Sequence, residues 1–273
     1  MLNNIRRIIK RYLVREKITT IKTPVFNGKL LLNKTALIVG GSGGIGSAIA
    51  EMYVANGCKV VIAGTNEQKL NSLCERMGEK SDYLVIDLKN VSEFKDKIFL
   101  AEKKLGKIDI LVNCSGVHCN DKFGEISERE WNNIMDINVK GMYFMSQEFA
   151  NYIILNKLKG HILNVGSASC AKPGWTPYEI SKCAVQSMTR GMADKLIKHG
   201  IVVNSIAPGP VATKMLGREN GENIIWTGNP TGRMATPEEI ANLAVFMVSN
   251  LGDLIVGDTY FISGGSGTVC IDR

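Results

Sequence analysis

Short apolar runs alternate with longer amphipathic stretches along most of this chain. The runs are rich in Val, Ile and Leu, which is typical of strands buried on both faces of a sheet. They predict strands at 35–39, 59–64, 83–88, 108–113, 161–166, 201–206 and 259–263. The stretches between them carry apolar residues at helical spacing and predict helices that include 66–77, 91–105, 131–156, 178–199 and 237–249.

Regular alternation of strand and helix implies right-handed crossovers and a sheet covered on both faces. The sequence therefore predicts an α/β fold of the Rossmann type, with a doubly wound, parallel, seven-stranded sheet. We expect one domain over residues 33–273, preceded by an N-terminal extension over residues 1–32. No apolar run reaches the length of about 20 residues that a membrane-spanning helix needs.

A glycine-rich turn joins the first predicted strand to the first helix. Residues 40–46 read Gly-Gly-Ser-Gly-Gly-Ile-Gly, and an apolar helical pattern begins at Ile45. A strand, a glycine turn and a helix bring backbone N–H groups and a helix N-terminus to a pyrophosphate. Gly44 and Gly46 have no Cβ to obstruct that approach. The turn predicts a dinucleotide-binding site.

Tyr178 and Lys182 stand four residues apart and project from the same face if residues 178–182 are helical. A phenol has a pKa of about 10, too high for a base at neutral pH. A nearby ammonium favours the phenolate and lowers that pKa. Ser167, eleven residues upstream, has a hydroxyl that can hold a substrate oxygen while the tyrosine moves the proton.

These motifs together resemble the short-chain dehydrogenase/reductase family in their order and spacing. They are the glycine turn, Asn113-Cys114-Ser115-Gly116, Asn138, Ser167, Tyr178-x-x-x-Lys182 and Pro208-Gly209. The resemblance covers about residues 33–268 and extends to bacterial 3-oxoacyl-[acyl-carrier-protein] reductases. It implies an NAD(P)(H)-dependent oxidoreductase that interconverts a carbonyl and a secondary alcohol.

The resemblance also implies the catalytic roles. Tyr178 is the general acid/base, and Ser167 orients and stabilises the carbonyl oxygen. Lys182 lowers the pKa of the tyrosine and binds the nicotinamide ribose, while Asn138 helps to hold a water of the proton relay. Ser169 competes with Ser167, but it lies only nine residues before the tyrosine. Ser167 is the better match.

Cofactor-binding residues follow from the same resemblance. Asp87 matches a position that contacts the adenine amino group, and Val211 and Thr213 match positions that fix the nicotinamide carboxamide. The full set is Gly40, Ser42, Gly43, Gly44, Ile45, Gly46, Thr65, Asn66, Asp87, Leu88, Asn113, Ser115, Gly116, Tyr178, Lys182, Pro208, Gly209, Val211 and Thr213.

The end of the second predicted strand bears on the choice of cofactor. An acidic residue there would bind the ribose hydroxyls of NAD and repel a 2′-phosphate. This chain has Gly64-Thr65-Asn66 instead, and both polar side chains could donate hydrogen bonds to a phosphate. The arginine that commonly marks NADP use is missing, and Gly43 stands where the turn would carry a basic residue. The sequence favours NADP(H) over NAD(H).

The substrate is a small carbonyl or alcohol, and its class stays open. A 3-oxoacyl-reductase-like ketoreductase is the main interpretation. Glu125 and Asp194 stand where those enzymes carry arginines for an acidic carrier protein, so a sugar, polyol or other small-alcohol dehydrogenase is the alternative. A remote alternative is a regulatory protein that binds the cofactor without turnover. The presence of Ser167, Tyr178 and Lys182 argues against it. Residues 215–231, with Trp226, are expected to form a lid.

The positive charge is concentrated in the first 35 residues. This segment has nine Lys/Arg and one acidic residue, so its net charge exceeds the net charge of +7 of the whole chain. The rest of the chain is therefore near neutral, and nucleic acid is not an expected partner. Residues 3–17 have the pattern of a basic amphipathic helix, which could contact a membrane surface weakly or dock on the protein itself.

Cysteine and histidine usage excludes some classes of site. Seven cysteines without a Cys-x-x-Cys pair are typical of reduced thiols in a cytoplasmic protein, and three histidines lack metal-ligand spacing, so no metal is expected. His118 and Cys119 could border the substrate pocket, although a structural or incidental role is favoured for each. By resemblance we expect a homotetramer built through helices 131–156 and 178–199 and the last strand.

Overall fold

The computed structural model describes residues 28–119, 122–218 and 223–269. Its strands are β1 (Thr35–Val39), β2 (Lys59–Gly64), β3 (Ser81–Val85), β4 (Ile110–Asn113), β5 (Gly160–Val165), β6 (Ile201–Pro208) and β7 (Thr259–Ile262). They form one parallel sheet in the order β3-β2-β1-β4-β5-β6-β7. The predicted doubly wound α/β fold is confirmed.

Helices cover both faces of this sheet. They are α1 (Gly44–Ala55), α2 (Glu67–Met77), α3 (Phe94–Leu105), α4 (Glu128–Met135), α5 (Met142–Leu155), α6 (Pro177–Leu196) and α7 (Pro237–Val248). Successive strand residues point to opposite faces. Ile38 of β1 therefore packs with Ile49 of α1, whereas Leu37 packs in a second cluster with Phe149 of α5. Both clusters are buried, which explains the continuous apolar runs.

The order of the strands places a crevice beside β1. Strand β2 pairs with one edge of β1 and β4 pairs with the other edge, so the order of the strands reverses direction at β1. In open parallel sheets, ligands bind at such a switch point, beyond the carboxyl ends of the strands. The glycine turn follows β1 at this edge of the sheet.

The predicted helix 131–156 is interrupted in the structure. A π-helical turn, Asp136–Gly141, separates α4 from α5 and contains Asn138. The buried residues of this turn are Asn138 and Gly141, and the predicted continuous helix did not include the break. A Cβ at Gly141 would lie 2.6 Å from the carbonyl oxygen of Leu88. The turn therefore packs tightly against the loop after β3, where π-helical geometry is typical of functional sites.

The structure begins just before β1. Leu31 is buried in the core, and its N–H donates to the carbonyl of Asn56 at 3.2 Å. The amphipathic pattern over residues 3–17 lies outside the described residues. None of the helices described is long and apolar enough to cross a membrane. The six cysteines in the described ranges are all free thiols.

Candidate active site

Glycine is required in the turn after β1 because the backbone there is crowded. Gly40 has a φ of +85°, and a Cβ on it would lie 2.5 Å from the backbone nitrogen of Ser115. A Cβ on Gly46 would overlap the carbonyl oxygen of Gly40. The turn thus lies against the loop after β4 and presents bare backbone at the start of α1.

A cleft of about 430 Å³ lies in front of this turn. Twelve of the predicted cofactor residues line it: Gly40, Ser42, Gly43, Gly44, Ile45, Gly46, Thr65, Asp87, Leu88, Ser115, Gly116 and Thr213. They come from the carboxyl ends of β1 to β4 and from the loop after β6. A Cβ on Gly44 would lie 2.7 Å from the Thr213 methyl carbon, so two sides of the cleft approach each other there. The cradle and its polar rim fit a dinucleotide.

Other predicted cofactor residues support the cleft without lining it. Asn66 caps α2, accepting from the Lys69 N–H at 2.9 Å. Asn113 is buried and donates to Ser146 Oγ and Asn164 Oδ1, both at 2.9 Å, which ties β4 to α5 and β5. Pro208, Gly209 and Val211 continue β6 toward Thr213, and the Gly209 N–H donates to Ile262 at 3.3 Å.

Several lining residues were not predicted from the sequence. They are Gly64, Lys69, Ile86, Cys114, Val117, Ile137, Lys214 and Met215. Lys69 stands four residues after Thr65, in the first turn of α2, which begins at Glu67. Long side chains of a helix lean toward its N-terminus, which brings this ammonium back toward Thr65.

Ser167 and Tyr178 come together at the carboxyl end of β5. Ser167 follows this strand and caps the short helical turn Ala168–Ala171, accepting from the Ser169 N–H at 3.2 Å. Tyr178 is the second residue of α6, and Ser167 is the hydrogen-bonding side chain that lowers the pKa of its hydroxyl. The Ser169 hydroxyl lies 3.1 Å from Ser167 Oγ. Ser167 is therefore the serine in contact with the tyrosine.

Lys182 lies one helical turn after Tyr178 and is only 4% exposed. Its Nζ donates to the Val165 carbonyl at 3.1 Å and lies 5.7 Å from the centroid of the Tyr178 ring. Burial lowers the pKa of this lysine to about 8. A Cβ on Gly116 would lie 3.4 Å from Nζ, so the ammonium lies beside this glycine of the cofactor cleft.

The pKa of Tyr178 differs from the expectation. It is raised above its ordinary value of 10.0, mainly because the phenol is buried, while the hydrogen bond with Ser167 lowers it. Cys170 and Glu179 raise it further. The lowering expected from Lys182 is absent from these causes. The ammonium lies beside the ring and bonds to Val165, and burial disfavours its charge, so desolvation of the phenolate prevails.

Asn138 is fully buried and joins the loop after β4 to α6. Its amide nitrogen donates to the Val117 carbonyl at 2.9 Å and to Ser181 Oγ at 3.1 Å, and its oxygen accepts from the Val117 N–H at 2.9 Å. The Ser181 hydroxyl donates to the Tyr178 carbonyl at 2.6 Å. Both amide hydrogens are thus used within the protein, and the side chain fixes the loop relative to the tyrosine.

The loop held by Asn138 carries His118 and Cys119. The His118 ring lies against the ring of Tyr178, with centroids 4.6 Å apart and planes at 59°. Cys119 is buried. Contact with Tyr178 fits both a structural role and a place beside the substrate pocket, so the role of His118 stays a prediction. Within the described ranges, no group of three His, Cys, Asp or Glu side chains could hold a metal ion.

Comparison with known proteins places this site in a family. The family model described as short chain dehydrogenase matches residues 34–223. Gluconate 5-dehydrogenase of Gluconobacter oxydans is 33% identical over 239 residues, covering 84% of this chain and 93% of the relative. The 3-oxoacyl-[acyl-carrier-protein] reductase of Vibrio harveyi is also 33% identical over 239 residues, covering 86% and 98%.

Solved structures agree in fold. A short chain dehydrogenase from Bacillus anthracis has a TM-score of 0.79 and 30% identity, covering 88% of this chain and 99% of the other. The 3-ketoacyl-(acyl-carrier-protein) reductase of Brucella melitensis, complexed with NADH, has a TM-score of 0.81 and 26% identity, covering 88% and 100%. The predicted resemblance is confirmed. This chain belongs to the short-chain dehydrogenase family and is an NAD(P)(H)-dependent oxidoreductase that acts on CH–OH groups of small molecules.

Proposed function

We propose that this chain is a ketoreductase that reduces the keto group of a 3-oxoacyl-type substrate with NADPH. The observation that carries the proposal is the hydrogen-bonded pair Ser167–Tyr178 with Lys182 buried beside it, next to the glycine-lined cleft. Relatives named as 3-oxoacyl reductases support the substrate class.

The side chains supply the proton chemistry of this reaction. Bound NADPH supplies the hydride. Tyr178 donates its proton to the carbonyl oxygen of the substrate, and the Ser167 hydroxyl donates a hydrogen bond to the same oxygen. The raised pKa of Tyr178 keeps the phenol protonated, which is the form that reduction requires. Lys182 binds the nicotinamide ribose, and Asn138 supports the water relay that returns the proton.

NADPH is proposed as the preferred cofactor on the basis of charge near Thr65. The residue after β2 is not acidic, and the Lys69 ammonium lines the cleft together with Thr65 and Ser42. A 2′-phosphate carries negative charge and accepts hydrogen bonds, so a lysine and two hydroxyls suit it. Lys69 takes the place of the arginine that the sequence lacks.

A sugar or polyol is the second candidate substrate. Glu125 and Asp194 are exposed, and Asp194 is paired with Lys195 at 2.8 Å. Glu125 adds negative charge to a surface that an acidic carrier protein would have to approach. The gluconate 5-dehydrogenase and galactitol 2-dehydrogenase relatives favour this class as well.

A homotetramer is proposed from the surface between α5 and α6. These helices enclose an apolar groove of about 340 Å³, lined in part by Tyr143, Ile154, Met188 and Met192. Apolar grooves of this kind are unfavourable in water and mark sites of association. The free thiols of the described ranges are consistent with a cytoplasmic location, which we also propose.

The Tyr178→Phe variant tests the proposed reaction. Loss of the phenol proton should lower kcat at least about 100-fold for a 3-oxoacyl thioester, because general acid catalysis contributes this much or more. Binding of NADPH, followed by its fluorescence, should change by less than about twofold, since the ring remains.

Tyr260→Phe is the control, because Tyr260 is an exposed tyrosine on β7. It should retain wild-type turnover. Unchanged turnover in Tyr178→Phe would contradict the mechanism. A screen of 3-oxoacyl thioesters, ketones and sugars with NADPH and NADH separates the two substrate classes. Preferred turnover of a sugar would replace the 3-oxoacyl proposal with the second candidate.

A further inference from the structure

His118 contacts the proposed proton donor although the two residues are far apart in the chain. Its ring centroid lies 4.6 Å from that of Tyr178, and the planes are tilted by 59°. This lies within the range in which aromatic rings attract each other. The contact therefore brings an imidazole to the reacting phenol.

The two residues that flank His118 are held in place, Val117 by backbone hydrogen bonds and Cys119 by burial. Both the N–H and the carbonyl of Val117 are bonded to the buried amide of Asn138, at 2.9 Å each. Cys119, on the other side, is 6% exposed. Val117 and Cys119 therefore hold the backbone on both sides of His118.

The polar atoms of this ring remain available. His118 is exposed, and in the described part of the chain neither of its ring nitrogens has a hydrogen-bond partner. A neutral imidazole carries one N–H donor and one acceptor nitrogen. The ring therefore offers a directional polar group beside the ring of Tyr178.

We propose that His118 positions the substrate by donating a hydrogen bond to a second oxygen, carried close to the reacting carbonyl. This inference rests on the proposed function. Tyr178 and Ser167 bind the keto oxygen, so the neighbouring ring reaches the next polar atom along the substrate. In a 3-oxoacyl substrate that atom is the C1 carbonyl oxygen. His118 thus selects 3-oxo esters and thioesters over simple ketones.

Two ketones of nearly equal shape test this selection. Ethyl acetoacetate and 4-ethoxybutan-2-one differ only in the C1 carbonyl oxygen. The wild-type enzyme should favour the first by about tenfold in kcat/KM, which is the contribution of one hydrogen bond. His118→Phe keeps an aromatic ring against Tyr178 but loses the nitrogens. This variant should lose most of the preference through a higher KM for ethyl acetoacetate, and His118→Gln should restore part of it.

His199→Phe is the matched control. His199 is exposed in the turn after α6, roughly 30 Å from Tyr178 along that helix, so the wild-type preference should persist. An unchanged preference in His118→Phe, an equal loss for both ketones, or a wild-type enzyme without the preference overturns the inference. Failure of the proposed function is distinct: the wild-type protein would bind NADPH, measured by fluorescence, and reduce neither ketone nor 3-oxoacyl thioester.

Discussion

Lys69 and Thr65 lie four residues apart where β2 is followed by α2, and both line the cofactor cleft. A single ammonium is the basis of the proposed preference for NADPH. Lys69→Ala should raise the Kd of NADPH about tenfold, because one charge-assisted hydrogen bond to the 2′-phosphate is lost. The Kd of NADH should change by less than about twofold, and Lys69→Arg should retain NADPH binding.

Fluorescence titration with both cofactors measures these values. A wild-type protein that binds NADH more tightly would overturn the choice of cofactor. A wild-type preference for NADPH that survives in Lys69→Ala would leave that choice intact and exclude only the role of Lys69. The titrations therefore distinguish a wrong choice of cofactor from a wrong role for Lys69.

Individual residues also show where the sequence-based predictions and the structure agree and where they differ. Ser167, Tyr178 and Lys182 were identified from spacing and resemblance, and the structure brings them together. The pKa of the tyrosine was predicted with the wrong sign, because its burial is invisible in the sequence. Asn113 was assigned to the cofactor, and that role stays a prediction; its amide nitrogen donates to Ser146 and Asn164.

At the scale of elements, α6 determines where the tyrosine lies. Thr176 and Glu179 form a capping box at its start, with Pro177 in the first turn, so Tyr178 is held two residues from the cap. Helix α7 begins in the same way, with Thr236 and Glu239 in a capping box and Pro237 after the cap. Helix α6 carries the proposed proton donor and α7 does not, so substitutions of the two caps can be compared directly.

Thr176→Ala and Thr236→Ala should each lower the free energy of unfolding by about 1 kcal/mol, the usual cost of losing an N-cap. Only Thr176→Ala should also lower kcat severalfold, because a frayed first turn displaces the phenol from its substrate. Urea denaturation and steady-state kinetics measure the two effects. Equal kcat values in both variants would show that the cap does not position Tyr178.

The π-helical turn is the element that sequence periodicity missed. Within Asp136–Gly141 the buried residues are Asn138 and Gly141, so apolar spacing gives no signal there. Its geometry depends on the close contact of Gly141 with Leu88 and on the bonds of Asn138 to Val117. These contacts join residues distant in the chain, so local spacing could not predict them.

At the scale of the whole molecule, the groove between α5 and α6 determines the proposed assembly. Met188 lines this groove, so Met188→Glu would place a carboxylate in a buried interface and should dissociate the tetramer. Phe99→Glu is the control, because Phe99 is an exposed residue of α3 outside the groove. Light scattering after size-exclusion chromatography gives both masses. A wild-type monomer, or a Met188→Glu tetramer, would contradict the proposal.

The sequence by itself determined the seven strands, the glycine turn and the Ser167–Tyr178–Lys182 set, because apolar periodicity, a run of glycines and the spacing of motif residues are local properties. Strand bounds were off by at most a few residues; β3, for example, ends at Val85 and leaves Asp87 in the loop beyond it. Only the tertiary structure placed His118 against Tyr178 and Lys69 in the cleft. Burial, which is also a tertiary property, is the main reason that the pKa of Tyr178 is raised. Contacts and desolvation depend on residues far apart in the chain, which the sequence pattern does not encode locally.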